Sequence, residues 1–310
     1  MAEIDASSYL DTPSPNHKIH QNHTDHNIDH GLLVEAESYK ADKIISCVGS
    51  HTIKSSLHEN EDRCSESHHD DFYVFTVADG HDGADASSFA IDNLSWNILR
   101  SQESDSNNQY TIDHALRQAF ITTDDQFCKS ARRSGSTSGT CVIALVVRGR
   151  HAAFASSGDC GAVFHNHDGT YKFICKRHTA KDQSEADRIR SAGGFIQGDR
   201  VMGILCPSRG FGDIDVRDSC PGSIIPNPDV VSLIISQSDN SDPVNPIFAL
   251  LASDGVFDTV DLNTAVSLVK KTLILHANQA KRAELAARKL VRYCADRTTD
   301  DITAIVICFR

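Results

Sequence analysis

The stretch FTVADGH at 75–81 decides how this chain is read, and LLASDGV at 250–256 echoes it. Each drives an apolar run straight into Asp and then Gly. From Phe72 to Ala78 nearly every residue is apolar or a β-former, which predicts a strand covered on both faces. Similar runs lie at Thr140 to Val147, Ala152 to Ser156, Val230 to Ile235, Phe248 to Ala252 and Ile302 to Phe309. Few regular βαβ units separate them, so the pattern is that of an α+β sandwich. Helical spacing follows residue 84, where Ala90, Leu94 and Ile98 fall four apart, and returns at Leu116, Phe120 and Phe127. Two further helices are predicted near 262–275 and 279–296; in the last, Ala283, Ala287, Leu290 and Cys294 share a face.

The acids cluster at strand ends. A third strand ends as FASSGD at Asp159, and a fourth is reversed, with Asp300 and Asp301 preceding ITAIVICF, so an antiparallel partner would bring them to the same edge. Glu61 and Asp62 are placed just ahead of the Phe72 strand. If Asp62, Asp79, Asp159, Asp254 and Asp300 converge, each like-charged pair about 4 Å apart costs roughly 1 kcal/mol in water and about 4 at an effective dielectric near 20. Such a cluster requires cations. Oxygen ligands suit Mn²⁺ or Mg²⁺ rather than zinc, and two such ions about 3.5–4 Å apart can activate a water for in-line attack on phosphorus.

Any one Asp-Gly pair is an ordinary turn; the set carries the weight. Gly80 has an added reading, since a residue without a side chain lets its carbonyl approach a metal closely. His81 could protonate a leaving alkoxide, because an imidazole titrating near about 6.5 suits acid catalysis, although alone it reads as a structural histidine.

Composition narrows the classes. A formal charge of −12 over 310 residues repels a polyanion, so nucleic acid is not an expected partner. The ten cysteines stand singly, without a Cys-x-x-Cys pair, and read as reduced thiols. Met1 to Leu10 shows no basic patch followed by an apolar run, and nowhere do about 18 apolar residues run together. The expectation is an intracellular protein of the cytoplasm or nucleus, with no membrane partner. Residues 1–40 are polar and read as a flexible tail, with 41–310 as one catalytic domain. His17, His20, His23, His26 and His30 recur in that tail at spacings that could line a helix face and chelate a metal, but the flanking residues are poor helix formers.

In order, NED, ADGHDG, SGT, SGDCGAV, EADRIRSAGG, RVMGILCPSRGFGD, LLASDGVFD and TTDDITAIVI resemble the metal-dependent protein serine/threonine phosphatases of type 2C, from about residue 42 to 310. The resemblance implies a four-layer β-sandwich of two antiparallel sheets flanked by helices, with two or three Mn²⁺ or Mg²⁺ ions at one edge. It implies that Asp62, Asp79, Asp254, Asp300 and the Gly80 carbonyl hold the paired metals, that Glu61 holds metal-bound water, that Asp159 joins Asp254 at a third site, and that His81 is the general acid. The activity implied is hydrolysis of phosphoserine and phosphothreonine in phosphoprotein substrates.

The departures matter too. Leu57 stands where the family places a phosphate-clamping Arg, and a charge-assisted bond of that kind is worth roughly 1.5–3 kcal/mol unless Lys54 or another cation substitutes. Asp82 stands where a second Gly is usual, Cys160 and Gly161 replace Ser and Arg, and Asp301 replaces Asn. Leu57 and Asp82 prompt the alternative of a weak or inactive relative acting as a binding or regulatory module; a nuclease is disfavoured by the acidic charge.

Four expectations concern residues outside the acid set. Arg209 and Asp213 are predicted to pair with each other, Glu185 and Arg188 to lie on an exposed helix, and SGSTSGT at 134–140 to turn into a strand, lacking the Lys of a Walker phosphate loop. Cys160, beside so many carboxylates, is expected to be an unreactive thiol.

Overall fold

The computed structural model describes residues 44–69, 72–103, 112–235 and 247–310. The histidine-bearing stretch 1–40 therefore lies outside the described residues.

One antiparallel sheet runs in the order β1 (Ile45–Ile53), β13 (Ile302–Phe309), β12 (Phe248–Ala252), β6 (Gly161–His165), β7 (Tyr171–Phe173). The other runs β11 (Asp229–Ile234), β5 (His151–Ser157), β4 (Gly139–Arg148), β3 (Phe72–His81), β2 (Arg63–His69), with β10 (Phe211–Gly212) pairing with one end of β4. A short β8 (Ile196–Gln197) and β9 (Arg200–Val201) pair apart from both. The helices are α1 (Asp85–Glu103), α2 (Ile112–Ser134), α3 (Gln183–Ser191), α4 (Ile214–Ser219), α5 (Asp254–Phe257), α6 (Leu262–Leu275) and α7 (Arg282–Ala295).

Side chains alternate across a strand, and here both faces are covered. Phe75 and Val77 of β3 point inward to meet Leu251, Ile305 and Ile307 between the sheets, whereas Val74 and Ala78 point outward under Leu94, Ile98, Leu116 and Phe120 of α1 and α2. The second sheet does the same: Leu250, Ala252, Ala304 and Val306 face Val269, Leu273, Ala287 and Leu290 of α6 and α7. The result is helix, sheet, sheet, helix. That layering is why the central strands read as unbroken apolar runs, and the predicted helix faces at 90–98, 116–127 and 283–294 are the ones buried against the sheets. SGSTSGT does turn into a strand, β4.

Register determines where the acids meet. β3 pairs with β4 up to His81↔Gly139, β5 joins β4 at Ser157↔Val142, and Ala252 of β12 stands opposite both Gly161 and Ala304. The carboxyl ends of β3, β5 and β12 and the start of β13 therefore share one edge of the sandwich.

Candidate metal centre

Asp79 lies two residues before the end of β3, Asp159 sits in the turn from β5 to β6, and Asp254 opens α5 directly after β12. Each offers a carboxylate oxygen, and the three atoms lie within 4.8 Å of one another. The two sheets meet here by a direct bond, in which the Asp254 N–H donates to Asp79 Oδ2 at 3.3 Å. Asp62 and Asp300 do not join that tight trio, but their charges are felt in it: with Asp254 and Asp159, both push against ionisation of Asp79.

Burial is the chief cause of that resistance. It holds the Asp79 carboxyl well above the usual range, lifts Asp62 to about 7 and Asp254 to about 8, and raises Asp300, with the neighbouring acids adding to each. Asp62 is 2% exposed, and neither of its carboxylate oxygens makes a hydrogen bond of ordinary geometry, although the Thr303 and Ser253 hydroxyls ease its charge in part. A buried carboxylate without partners is costly. Orphaned oxygens, an all-oxygen donor set and mutual repulsion together fit a hard divalent cation.

Glu61 is held from two sides. Its Oε1 accepts from the Gly83 N–H at 2.7 Å, and its own N–H donates to Asp301 Oδ2 at 2.7 Å. Asp301 also accepts from the Ser55 N–H, so one buried carboxylate ties both ends of the 55–61 loop to the start of β13. Gly80 lies against that loop: a methyl group on it would meet the Glu61 carbonyl oxygen at 2.5 Å.

His81 Nε2 is 2.7 Å from Asp213 Oδ1. Burial works against the imidazolium, but the charge and hydrogen bond of Asp213 outweigh it and hold the His81 pKa above its ordinary value. Gly139 makes room for the pair, since an added Cβ would collide with both His81 Nε2 and Asp213 Oδ1.

A family model described as protein phosphatase 2C matches residues 46–303. The chain belongs to the protein phosphatase 2C family. It is 30% identical over 240 residues to "Probable protein phosphatase 2C 27" of Arabidopsis thaliana, covering 76% of this chain and 58% of that protein. It is 31% identical over 243 residues to "Probable protein phosphatase 1N" of Homo sapiens, covering 76% and 53% respectively. The chain thus spans somewhat over half the length of these curated relatives. In fold it is similar to a serine-threonine phosphatase 2C from Toxoplasma gondii, with a TM-score of 0.71 at 16% identity, covering 91% of this chain and all of the other. It is also similar to a C. elegans sex determining protein, with a TM-score of 0.72 at 22% identity, covering 84% and 64%. Among the described residues, no helix is long and apolar enough to cross a membrane.

Two side-chain pairings in this protein phosphatase 2C chain differ from expectation. Arg209 does not pair with Asp213: its Nε donates to Glu185 Oε1 at 3.0 Å and its Nη1 to Asp229 Oδ1 at 3.2 Å. The intervening residues form β10 and then a left-handed Asp213, φ 51°, which turns that carboxylate back to His81. Nor is Glu185 on an exposed face. It is 2% exposed and accepts from Arg188, Arg209 and Ser208, which draw its carboxyl down to about 2 against the opposing effect of burial.

Glu61 and Asp62 precede the edge strand β2, which runs back alongside β3, so they reach the site through pairing rather than by nearness to Phe72. Arg177 is a site residue that no pattern singles out. Its guanidinium lies 3.9 Å from Asp159 and 3.8 Å from Asp254, and it also pairs with Asp258. Nothing in the run KRHTA marks it, because its partners are distant in sequence. Cys160 is fully buried, and desolvation followed by the neighbouring acids pushes its thiol well above the ordinary value, so it is no nucleophile.

Proposed function

We propose that the chain hydrolyses phosphoserine and phosphothreonine in proteins with the help of two Mn²⁺ or Mg²⁺ ions. The convergence of Asp79, Asp159 and Asp254 beside the buried carboxylate of Asp62 is the observation that carries this reading. Asp62, Asp79, Asp254, Asp300 and the Gly80 carbonyl are the groups we assign to the ions. When bound, such ions supply Lewis acidity toward phosphoryl oxygens and a lowered pKa for water.

The chain's own residues then divide the work. Glu61, fixed through Oε1 by Gly83, has its other oxygen, 4.0 Å from His58 Nδ1, to orient a water. His81, whose protonated form Asp213 favours, has its second ring nitrogen available to deliver a proton to the departing serine or threonine oxygen. Arg177 sets a fixed positive charge against Asp159 and Asp254, where a third cation would otherwise be called for, which favours two ions over three.

A second reading has its own support. Leu57 is 75% exposed on the 55–61 loop, and Lys54 is not a free substitute, since its Nζ is paired with Glu59 at 3.1 Å. A weak or inactive phosphatase-like binding protein is therefore the alternative. Purified protein assayed on a phosphothreonine peptide with Mn²⁺, beside Asp79→Asn, separates the two. Mn²⁺-dependent release of phosphate by the wild type alone supports the enzyme, and absence of turnover in both supports the binding protein.

A further inference from the structure

The end of the sandwich remote from the carboxylates carries a second reactive arrangement. Cys47 of β1 stands opposite Cys308 of β13, at a bulge where Ser46 is the extra residue. The site end of the same strand pair is Ile53↔Ile302, six residues along, or about 20 Å at the usual rise per residue. The two centres are therefore distinct.

Cys47 is half-buried and Cys308 is 1% exposed. Arg282, the first residue of α7, donates from Nε to Cys47 Sγ at 3.2 Å. The guanidinium is held in place by bonds from Nη2 to Ser46 Oγ at 3.1 Å and from Nη1 to the Ala277 carbonyl at 3.0 Å. The first turn of α7 presses directly on β1, since a methyl group at Gly49 would collide with the Glu284 backbone nitrogen. Cys47 thus faces a guanidinium, a surrounding that favours the thiolate.

We propose that Cys47 is a hydroperoxide-reactive thiolate, activated by Arg282, that is resolved by Cys308 into a disulfide joining β1 to β13. The Cys47 sulfur attacks one oxygen of the hydroperoxide, breaking the O–O bond and giving a sulfenic acid and water, or an alcohol from an alkyl hydroperoxide. The Cys308 thiol then displaces that hydroxyl as a second water. Two thiols are oxidised and one hydroperoxide is reduced. A Cα pair facing across adjacent antiparallel strands falls in the separation a disulfide spans.

Charge in the neighbourhood agrees. A bond from the Cys308 thiol, followed by the bond and charge of Arg282, lowers Cys47 in spite of its burial, while Cys308 is raised well above its ordinary value. The other charges at this end of α7, Lys281 and Glu284, are paired with each other at 4.0 Å. Cys64, Cys128, Cys141, Cys160, Cys175 and Cys294 are all shifted upward, chiefly by burial.

The test uses the full reduced chain, exposed to hydrogen peroxide at neutral pH, quenched with an alkylating reagent and mapped by mass spectrometry. A Cys47–Cys308 linked peptide should be the main product and should vanish in Cys47→Ser. Iodoacetamide labelling of Cys47 should reach its midpoint below the free-thiol value of about 8.5 in the wild type, and in Arg282→Gln this midpoint should move up. The proposal is overturned if exposed Cys206 is oxidised before Cys47, if no linked peptide forms, or if Arg282→Gln leaves the labelling midpoint where it was.

Discussion

His81 Nε2 lies 2.7 Å from Asp213 Oδ1, joining the end of β3 to the turn that opens α4 across 132 residues of chain. Asp213 is buried at 3% exposure, so its charge acts on the imidazole with little screening by solvent. The pair settles which ring nitrogen is engaged and favours the protonated ring.

Replacing Asp213 by Asn should lower the His81 pKa, which NMR of the ring protons would report. Because a general acid works only while protonated, the fall in kcat at high pH should begin at lower pH in Asp213→Asn than in the wild type. The loss at neutral pH should be about a hundredfold, the lower end of the range for general acid catalysis, with KM little changed. An alkaline limb that does not move would remove His81 from the reaction.

The exposed Leu57 is the simplest place to restore affinity. Leu57→Arg adds a guanidinium on the loop that carries Glu61 and should lower KM for a phosphopeptide about tenfold to a hundredfold, as one charge-assisted bond predicts. The folded state should be unaffected, because the side chain is 75% exposed.

Asp301 serves the loop rather than the ions. Asp301→Ala leaves the Ser55 and Glu61 N–H groups without acceptors, each orphan costing about 1–3 kcal/mol. Faster amide hydrogen exchange at Ser55 and Glu61, with most of the rest of β1 and β13 unchanged, is the expected signature.

Glu185 links stability to pH. Its carboxyl is drawn down to about 2 in the folded chain from an ordinary value near 4.5, so the unfolded state binds the proton more readily. The contribution is fully present above pH about 4.5 and is lost as pH falls toward 2. Glu185→Gln should cost about 3–5 kcal/mol at neutral pH, the penalty for breaking one partner of a buried ion pair, and should flatten the acid limb of a urea-denaturation profile.

Much of this molecule can be read from its residues, and the failures have physical causes. The central strands announce themselves because helices cover the outer face of each sheet, so Phe72–Ala78 and Phe248–Ala252 are apolar on both sides. β1 and β2 give no comparable signal because both are edge strands: RCSESHH has no fully buried residue and carries hardly an apolar side chain. The convergence of Asp79, Asp159 and Asp254 follows from strand endings. The pairings of Glu185 with Arg209, Asp213 with His81 and Arg177 with Asp254 do not, because each joins residues far apart in the chain, brought together by loops whose path no local period encodes.

The most direct test is a crystal of the chain grown with Mn²⁺ and measured for anomalous scattering. Two manganese peaks among the carboxylates of Asp62, Asp79, Asp254 and Asp300, lost in Asp79→Asn, are predicted. A site without manganese at saturating ion, with those carboxylates protonated and bonded to one another, would contradict the account.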